Sequence, residues 1–210
     1  VVSGPLGASA AGLALLRDPS LAAGIAHAEA LTQAHRRPIP LVDDGLHLAE
    51  AGYSVVVVEA AKVGWGASGR NGGQIVHSYS RDIDVIEKNH GKAVADAMGN
   101  MAFEGARVIR ERVAKYNIQC DLKDGGIYAA KTHKKVEGLH EHKALWEKYD
   151  GLQMQFVEGA EIQHYVRSDE YQAILIDPTG GHIHPLNLAL GEAAAFEYIG
   201  GRIFEQSPVI

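Results

Sequence analysis

Gly45-Leu-His-Leu-Ala-Glu-Ala-Gly-Tyr-Ser-Val-Val-Val-Val-Glu59 sets a helical face, a glycine stop and a β-branched run in immediate succession. Leu46, Leu48 and Ala49 share one side of a short helix, and Gly52 is placed to end it. The run from Tyr53 to Val58 then reads as a parallel strand buried on both faces, because it does not alternate with polar residues. Glu59 closes the strand. This is the second half of a dinucleotide-binding βαβ unit, in which a carboxylate at the strand end accepts hydrogen bonds from the ribose hydroxyls of an adenosine.

Behind the acid lies Gly64-Trp-Gly-Ala-Ser-Gly-Arg-Asn-Gly-Gly-Gln74. Glycine at this density implies positive φ or a backbone that passes close to something else. Ser68 and Asn71 offer neutral hydrogen bonds, and Arg70 can offset phosphate charge. Acids commonly close apolar strands, so this turn carries more information than Glu59 alone.

Further along, helical spacing of Ile83, Ile86, Val94, Met98, Met101, Val108, Ile109 and Val113 predicts one or two long helices over 82–116, broken near His90-Gly91. Asp124-Gly125-Gly126 is read as a turn before a short strand, Ile127 to Ala130. A polar helix follows from about Lys134 to Tyr149. Met154 to Val157 and Ala173 to Ile176 are two further strands around a helical segment, Ala160 to Val166. Pro185 suits the first turn of a helix running to Tyr198, since its missing N–H has no partner there. Gly200-Gly201 ends that helix, and a strand begins at Arg202.

Composition narrows the function classes. The chain of 210 residues has a net charge of −6, and a phosphate-backbone binder needs a surplus of Lys and Arg, so nucleic acid is not expected as a partner. Cys120 is the single cysteine and is read as a small core residue, while the 11 histidines show no ligand spacing. His133, His140 and His142 are expected on a solvated helix face, and no metal site is expected. No apolar run approaches the ~20 residues of a membrane span, and the default location is cytoplasmic.

Three stretches taken together resemble a known group. Leu48-Ala-Glu-Ala-Gly-Tyr-Ser-Val-Val-Val-Val-Glu59, Gly66-Ala-Ser-Gly-Arg-Asn-Gly-Gly-Gln74 and Ser78-Tyr-Ser-Arg-Asp-Ile-Asp-Val-Ile-Glu87 look like the gamma-glutamylputrescine oxidoreductase group of D-amino-acid-oxidase-like flavoproteins. Phe103-Glu-Gly, Ile109-Arg-Glu-Arg112 and Gly180-Gly-His-Ile-His-Pro-Leu-Asn-Leu-Ala189 extend the similarity from about Gly45 to the last residue. The resemblance implies an α/β fold with an α+β substrate part. Its frame is a partial FAD/NAD(P)-binding Rossmann-like domain of glutathione-reductase type with an interleaved substrate domain. It assigns residues 45–80 and 179–210 to the FAD-binding domain and 81–178 to the substrate domain, and it leaves 1–44 as an unrelated or mispredicted segment.

On that resemblance FAD is the cofactor, held by Glu59, Ala67, Ser68, Arg70, Asn71, Gly72, Gly73 and Gln74. The implied reaction oxidises the C–N bond of an amine, with oxygen as co-substrate, to an aldehyde, ammonia and hydrogen peroxide. The cofactor supplies the difficult step, so no acid–base dyad is required. His182 and His184 are the only candidates for a catalytic role, against a reading in which such a histidine pairs with backbone at the start of a helix.

The chain departs from the group where Gly-x-Gly-x-x-Gly should stand, about 20 residues before the acid. Pro38 to Gly45 reads Pro-Ile-Pro-Leu-Val-Asp-Asp-Gly instead. An abrupt change near Gly45 suggests a shifted frame, a mispredicted start or a fusion, and an inactive fragment is expected. Two rival readings stay open: a non-catalytic flavoprotein-like binding module, and a nicotinamide-dependent dehydrogenase, which gives no reason for the loop behind Glu59.

Overall fold

The computed structural model describes residues 12–14, 41–79 and 81–208. The helix expected over Leu21 to Ala34 and the extended run Arg36 to Pro40 lie outside them. The chain divides into two compact units. The first comprises residues 1–72, 112–120 and 184–210, and the second 73–111 and 121–183. The first unit has an α/β frame with a parallel strand pair, and the second has an α+β frame with an antiparallel sheet, as expected for the substrate part.

In the first unit, helix α1 (Leu41–Glu50) begins four residues before Gly45, where the family resemblance begins, and carries Leu46, Leu48 and Ala49 as expected. Gly52 follows at φ +91°, a left-handed conformation that a side chain would resist. Strand β2 covers Val56–Val58, shorter than the run expected from Tyr53. The reason is its partners. Strand β7 (Arg202–Phe204) pairs with it in parallel over three residues, Val57 opposite Ile203, and β1 (Gly12–Ala14) pairs antiparallel on the other side, Leu13 opposite Val57. A ladder extends only as far as neighbouring backbone does. Helix α5 (Pro185–Tyr198) packs with α1 and the sheet around fully buried Leu46, Val57 and Phe196.

Close packing here depends on small residues. A Cβ on Gly45 would stand 2.9 Å from Val57 Cγ2, and one on Gly201 would stand 2.3 Å from the ring of buried Phe196. Arg112 is buried at 4% exposure. It pairs with Asp43, donates to His47 Nδ1 at 3.0 Å, and lies 3.9 Å from Glu50. A buried guanidinium needs such partners, because an uncompensated internal charge is expensive. Glu192 on α5 is also buried, and burial pushes its carboxyl up to about 7, partly offset by Arg112.

The second unit is built on β6 (Ala173–His182). Strand β4 (Lys123–Ala130) pairs antiparallel along one edge, and β5 (Gln155–Glu158) and β3 (Gln74–Ile75) pair antiparallel along the other. The expected turn at Asp124-Gly125-Gly126 lies inside β4 as a bulge, with Gly125 at φ +86°. Opposite the bulge, β6 carries Pro178, which cannot donate to a ladder and is tolerated where pairing is interrupted. For the same reason β6 continues beyond the expected end at Ile176.

Helices α2 (Ile83–His90) and α3 (Lys92–Lys115) are separated at Gly91, φ +84°, where the break was expected. Together with α4 (His133–Trp146) they supply Ile83, Phe103 and Trp146 to the core of this unit. The segment after β5 is a single 3-10 stretch, Gly159–His164. The solvated-face reading is corrected for His142: its ring lies 4.7 Å from that of Tyr128, and burial lowers its pKa. His140 is exposed and stacks on Phe156 at 4.0 Å. Among the described residues, no helix is long and apolar enough to cross a membrane.

Two predictions test this packing. Because the Glu192 carboxyl lies above its ordinary 4.5 when folded, the native state binds the proton more tightly than the unfolded chain. Stability is therefore fully present below about pH 4.5 and falls as pH rises towards 7, by roughly 3 kcal/mol in total. Glu192→Gln should flatten that slope and raise the denaturation midpoint at pH 8; an unchanged urea-unfolding profile across pH 5–8 contradicts it. Gly201→Ala should lower stability by about 1–3 kcal/mol, since the enclosed Phe196 ring has nowhere to move. Urea titration at fixed pH reads this directly.

Candidate functional site

Glu59 follows β2 directly and is 9% exposed. Its backbone N–H donates to Phe204 O at 2.9 Å, adding a rung beyond the last strand pair. Its carboxylate Oε1 accepts from Ala61 N at 2.8 Å. The chain after β7 then follows the chain after β2: Ser207 N donates to Glu59 O at 2.9 Å, Gln206 N to Ala61 O at 2.8 Å, and Val63 N to Glu205 Oε1 at 2.9 Å. The acid is thus held by backbone on two sides, at the end of a parallel strand pair, where open α/β sheets bind ligands.

The loop behind it has a demanding shape. Gly64 has φ +74°, and a Cβ there would meet Leu186 Cδ1 at 2.6 Å. A Cβ on Gly69 would stand 2.1 Å from Gly64 O, so the two glycines touch backbone to backbone. Between them, Ala67–Gly69 forms one 3-10 turn. Asn71 Nδ2 donates at 3.0 Å to both Ala67 O and Ser68 O, so its amide is turned inward to brace the loop. The Arg70 guanidinium lies 4.1 Å above the Trp65 ring, an arrangement favoured by the ring quadrupole. Ala67, Ser68, Arg70, Asn71 and Gly72 are all exposed.

Of the residues expected to hold the cofactor, Glu59 and those from Ala67 to Gly72 belong to the first unit, and Gly73 and Gln74 to the second. In the second, Gly73 is buried at φ +71° and its carbonyl accepts from Ile183 N at 2.9 Å, while exposed Gln74 starts β3 opposite His182. His182 is itself exposed at the end of β6. His184 caps α5: its Nδ1 accepts from Asn187 N at 3.2 Å, which uses the ring nitrogen that faces the helix. Cys120 is buried, and its carbonyl accepts from His184 N at 2.7 Å.

These features fit one part of FAD and not another. The buried strand-end acid suits an adenosine ribose, and the exposed small-residue loop with its cation suits a diphosphate or ring edge. The first turn of α1 does not suit a diphosphate, because it carries Asp43 and Asp44 where anion sites place bare backbone N–H groups.

Sequence reasoning passed over a second polar group. In the second unit, His77 Nε2 lies 2.8 Å from Thr179 Oγ1, and both the hydroxyl and the N–H of Thr179 donate to Asp177 Oδ1, at 2.7 and 2.9 Å. His77 and Asp177 are each 1% exposed, and His77 stacks on Phe103 at 3.9 Å. Burial lowers the His77 pKa despite the carboxylate nearby. The hydroxyl of Tyr128, raised to about 12 by burial and Asp177, makes no hydrogen bond. The Asp-Pro-Thr run inside an apolar strand was the available signal.

Comparison with known proteins follows the same lines. A family model described as FAD dependent oxidoreductase matches residues 45–210. The chain is 52% identical over 168 residues to the gamma-glutamylputrescine oxidoreductase of Escherichia coli K12, covering 80% of this chain and 39% of that protein. It is 42% identical over 166 residues to the probable oxidoreductase OrdL of Haemophilus influenzae, covering 79% and 38%. Among solved structures, the L-amino acid deaminase of Proteus myxofaciens shares the fold with a TM-score of 0.64 at 19% identity, over 79% of this chain and 35% of that one. The chain therefore spans about two fifths of the curated relatives it matches, and over residues 45–210 it belongs to the family of FAD-dependent oxidoreductases.

Proposed function

We propose that this chain is part of an FAD-dependent amine oxidase acting on gamma-glutamylputrescine. The observation that carries the reading is Glu59, buried at the end of β2 with the glycine-shaped loop directly behind it. Likeness to the E. coli enzyme supports the substrate class. Glu59 would accept the ribose hydroxyls. Ala67, Ser68, Arg70, Asn71, Gly72, Gly73 and Gln74 would lie along the rest of the cofactor, with Arg70 supplying positive charge. In this proposal residues 45–80 and 179–210 serve the cofactor, and 81–178 serve the substrate.

When bound, FAD would supply the two-electron oxidation of the C–N bond; with one oxygen reduced and one water consumed, the products would be an aldehyde, ammonia and hydrogen peroxide. The share of this chain is to hold and orient. Gly64 and Gly69 let the loop fold against the start of α5, and the inward amide of Asn71 keeps it there without an occupant. Such bracing reduces the ordering needed when a ligand arrives. His184 already accepts a helix N–H, so we assign it to structure, and no catalytic base is assigned.

A second reading, a flavoprotein-like module without catalysis, is favoured by Asp43 and Asp44 in the first turn of α1, which oppose a diphosphate. FAD titration of the purified chain, read by flavin fluorescence, separates the two. Saturable uptake that weakens about 10-fold in Glu59→Gln, as expected for one lost charge-assisted hydrogen bond, supports the cofactor reading. A colourless chain that takes up no added FAD supports the module.

Two further outcomes are expected. Gly69→Ala, which sets a methyl against Gly64 O, should abolish FAD uptake while leaving the unfolding free energy from urea titration within about 3 kcal/mol of the parent. The 210-residue chain alone should release no peroxide from gamma-glutamylputrescine, whereas the corresponding full-length protein should. A full-length protein that oxidises only alpha-amino acids would overturn the substrate assignment.

A further inference from the structure

The bulge in β4 and the proline in β6 leave a gap in the second unit's sheet. Register runs from Gly126 opposite Asp177 to Asp124 opposite Gly181, so residues 178–180 have no partners across the ladder. A pocket of about 90 Å³ occupies this place, lined by Ile75, Gly126, Tyr128, Asp177, Gly180 and Gly181 among others. Bulges commonly interrupt pairing where a sheet serves a ligand.

Oxygen acceptors converge on the space beside Gly180. A Cβ built there would stand 3.2 Å from Asp177 Oδ2 and 3.2 Å from Ile75 O. Asp177 is 1% exposed, and its Oδ2 makes no hydrogen bond, although Oδ1 accepts from Thr179 N and Oγ1. The nearest basic nitrogen is His77 Nε2, 3.8 Å away and directed to Thr179 Oγ1. Burial lowers the pKa of that ring and so disfavours the charged form that would balance the carboxylate. Arg110 is committed elsewhere: it donates to Thr179 O at 3.0 Å, to Gly180 O at 2.8 Å and to Asp124 Oδ1 at 2.9 Å. A buried carboxylate oxygen left in this state carries a desolvation penalty, and a donor-rich cation removes it. The Tyr128 hydroxyl, also buried and without a hydrogen bond, adds one more group able to accept.

We propose that this gap is a binding site for a primary ammonium group, with Asp177 Oδ2 as its counter-ion and Ile75 O and the Tyr128 hydroxyl as further acceptors. An ammonium carries three donors and no acceptor, which matches an acceptor-rich cradle with negative charge. Water would satisfy fewer of these atoms and none of the charge. The volume admits an ammonium with one or two methylene groups, and a quaternary ammonium has no N–H to offer these acceptors. Identification of the natural ligand as the amine end of a substrate rests on the amine-oxidase reading; binding of the cation does not.

The test uses the whole purified chain without FAD, with unfolding midpoints measured against methylammonium, tetramethylammonium and sodium chlorides at constant ionic strength. Ligand that binds only the folded state raises the midpoint by mass action. A saturable rise with methylammonium alone is expected. It should require at least 10-fold more ligand in Asp177→Asn, which keeps the acceptor for Thr179 while removing the charge. Gly180→Ala keeps the carboxylate and fills the space, and it should lose the response altogether. Equal responses to all three salts, an unshifted methylammonium response in Asp177→Asn, or any methylammonium response in Gly180→Ala overturns the site. Should Asp177→Asn fail to fold, the salt comparison on the parent and Gly180→Ala still decide. Failure of FAD uptake leaves this readout unchanged, and failure of methylammonium binding leaves the cofactor reading standing.

Discussion

The rung that joins Glu59 N to Phe204 O, one step beyond the parallel pairing of β2 with β7, is the constraint on which the first unit depends. Parallel strands cannot be joined by a tight turn, so their partnership must be made by distant stretches of chain and sealed by packing. Phe196 and Val57 supply that packing from α5 and β2, and glycines at 45 and 201 permit the approach. Once β7 lies beside β2, the segment after it binds the segment after β2 through two further backbone pairs and the Glu205 carboxylate. The carboxylate of Glu59 and the start of the loop inherit their places from this ladder.

Buried charge shapes the two units differently. In the first, Arg112 is surrounded by Asp43, His47 and Glu50, so Asp43 at the helix start that precedes β2 is committed to a side chain of the same unit. That arrangement ties α1 to the last turn of α3 and at the same time opposes an external anion there. In the second, the charge of Asp177 is met only by neutral donors on one oxygen. A satisfied network stabilises one arrangement, whereas an unsatisfied acceptor beside a cavity is the condition for binding something.

Local signals carried much of the chain. The helix from Pro185 to Tyr198 was legible to the residue, because proline at its start and paired glycines after it act within a few bonds. The break at Gly91 was equally local. Strand ends were less legible: β2 stops where β7 stops, and β6 continues through Pro178 because a bulge lies opposite. His142 looked solvated among charged neighbours, yet its face of α4 meets Tyr128 on the sheet.

Taken alone, the order of residues determined that an apolar strand ends in an acid and that a turn too rich in glycine for ordinary use comes next. Both are properties of contiguous residues, and so is the family resemblance they carry. Tertiary structure decided what no contiguous stretch contains: that β1 runs antiparallel to β2, that Arg112 is buried among carboxylates 62 to 69 positions away, and that a bulge and a proline 53 residues apart open one gap beside Asp177. Pairing and burial depend on which segments meet, and that is set by the packing of the whole unit rather than by any local preference.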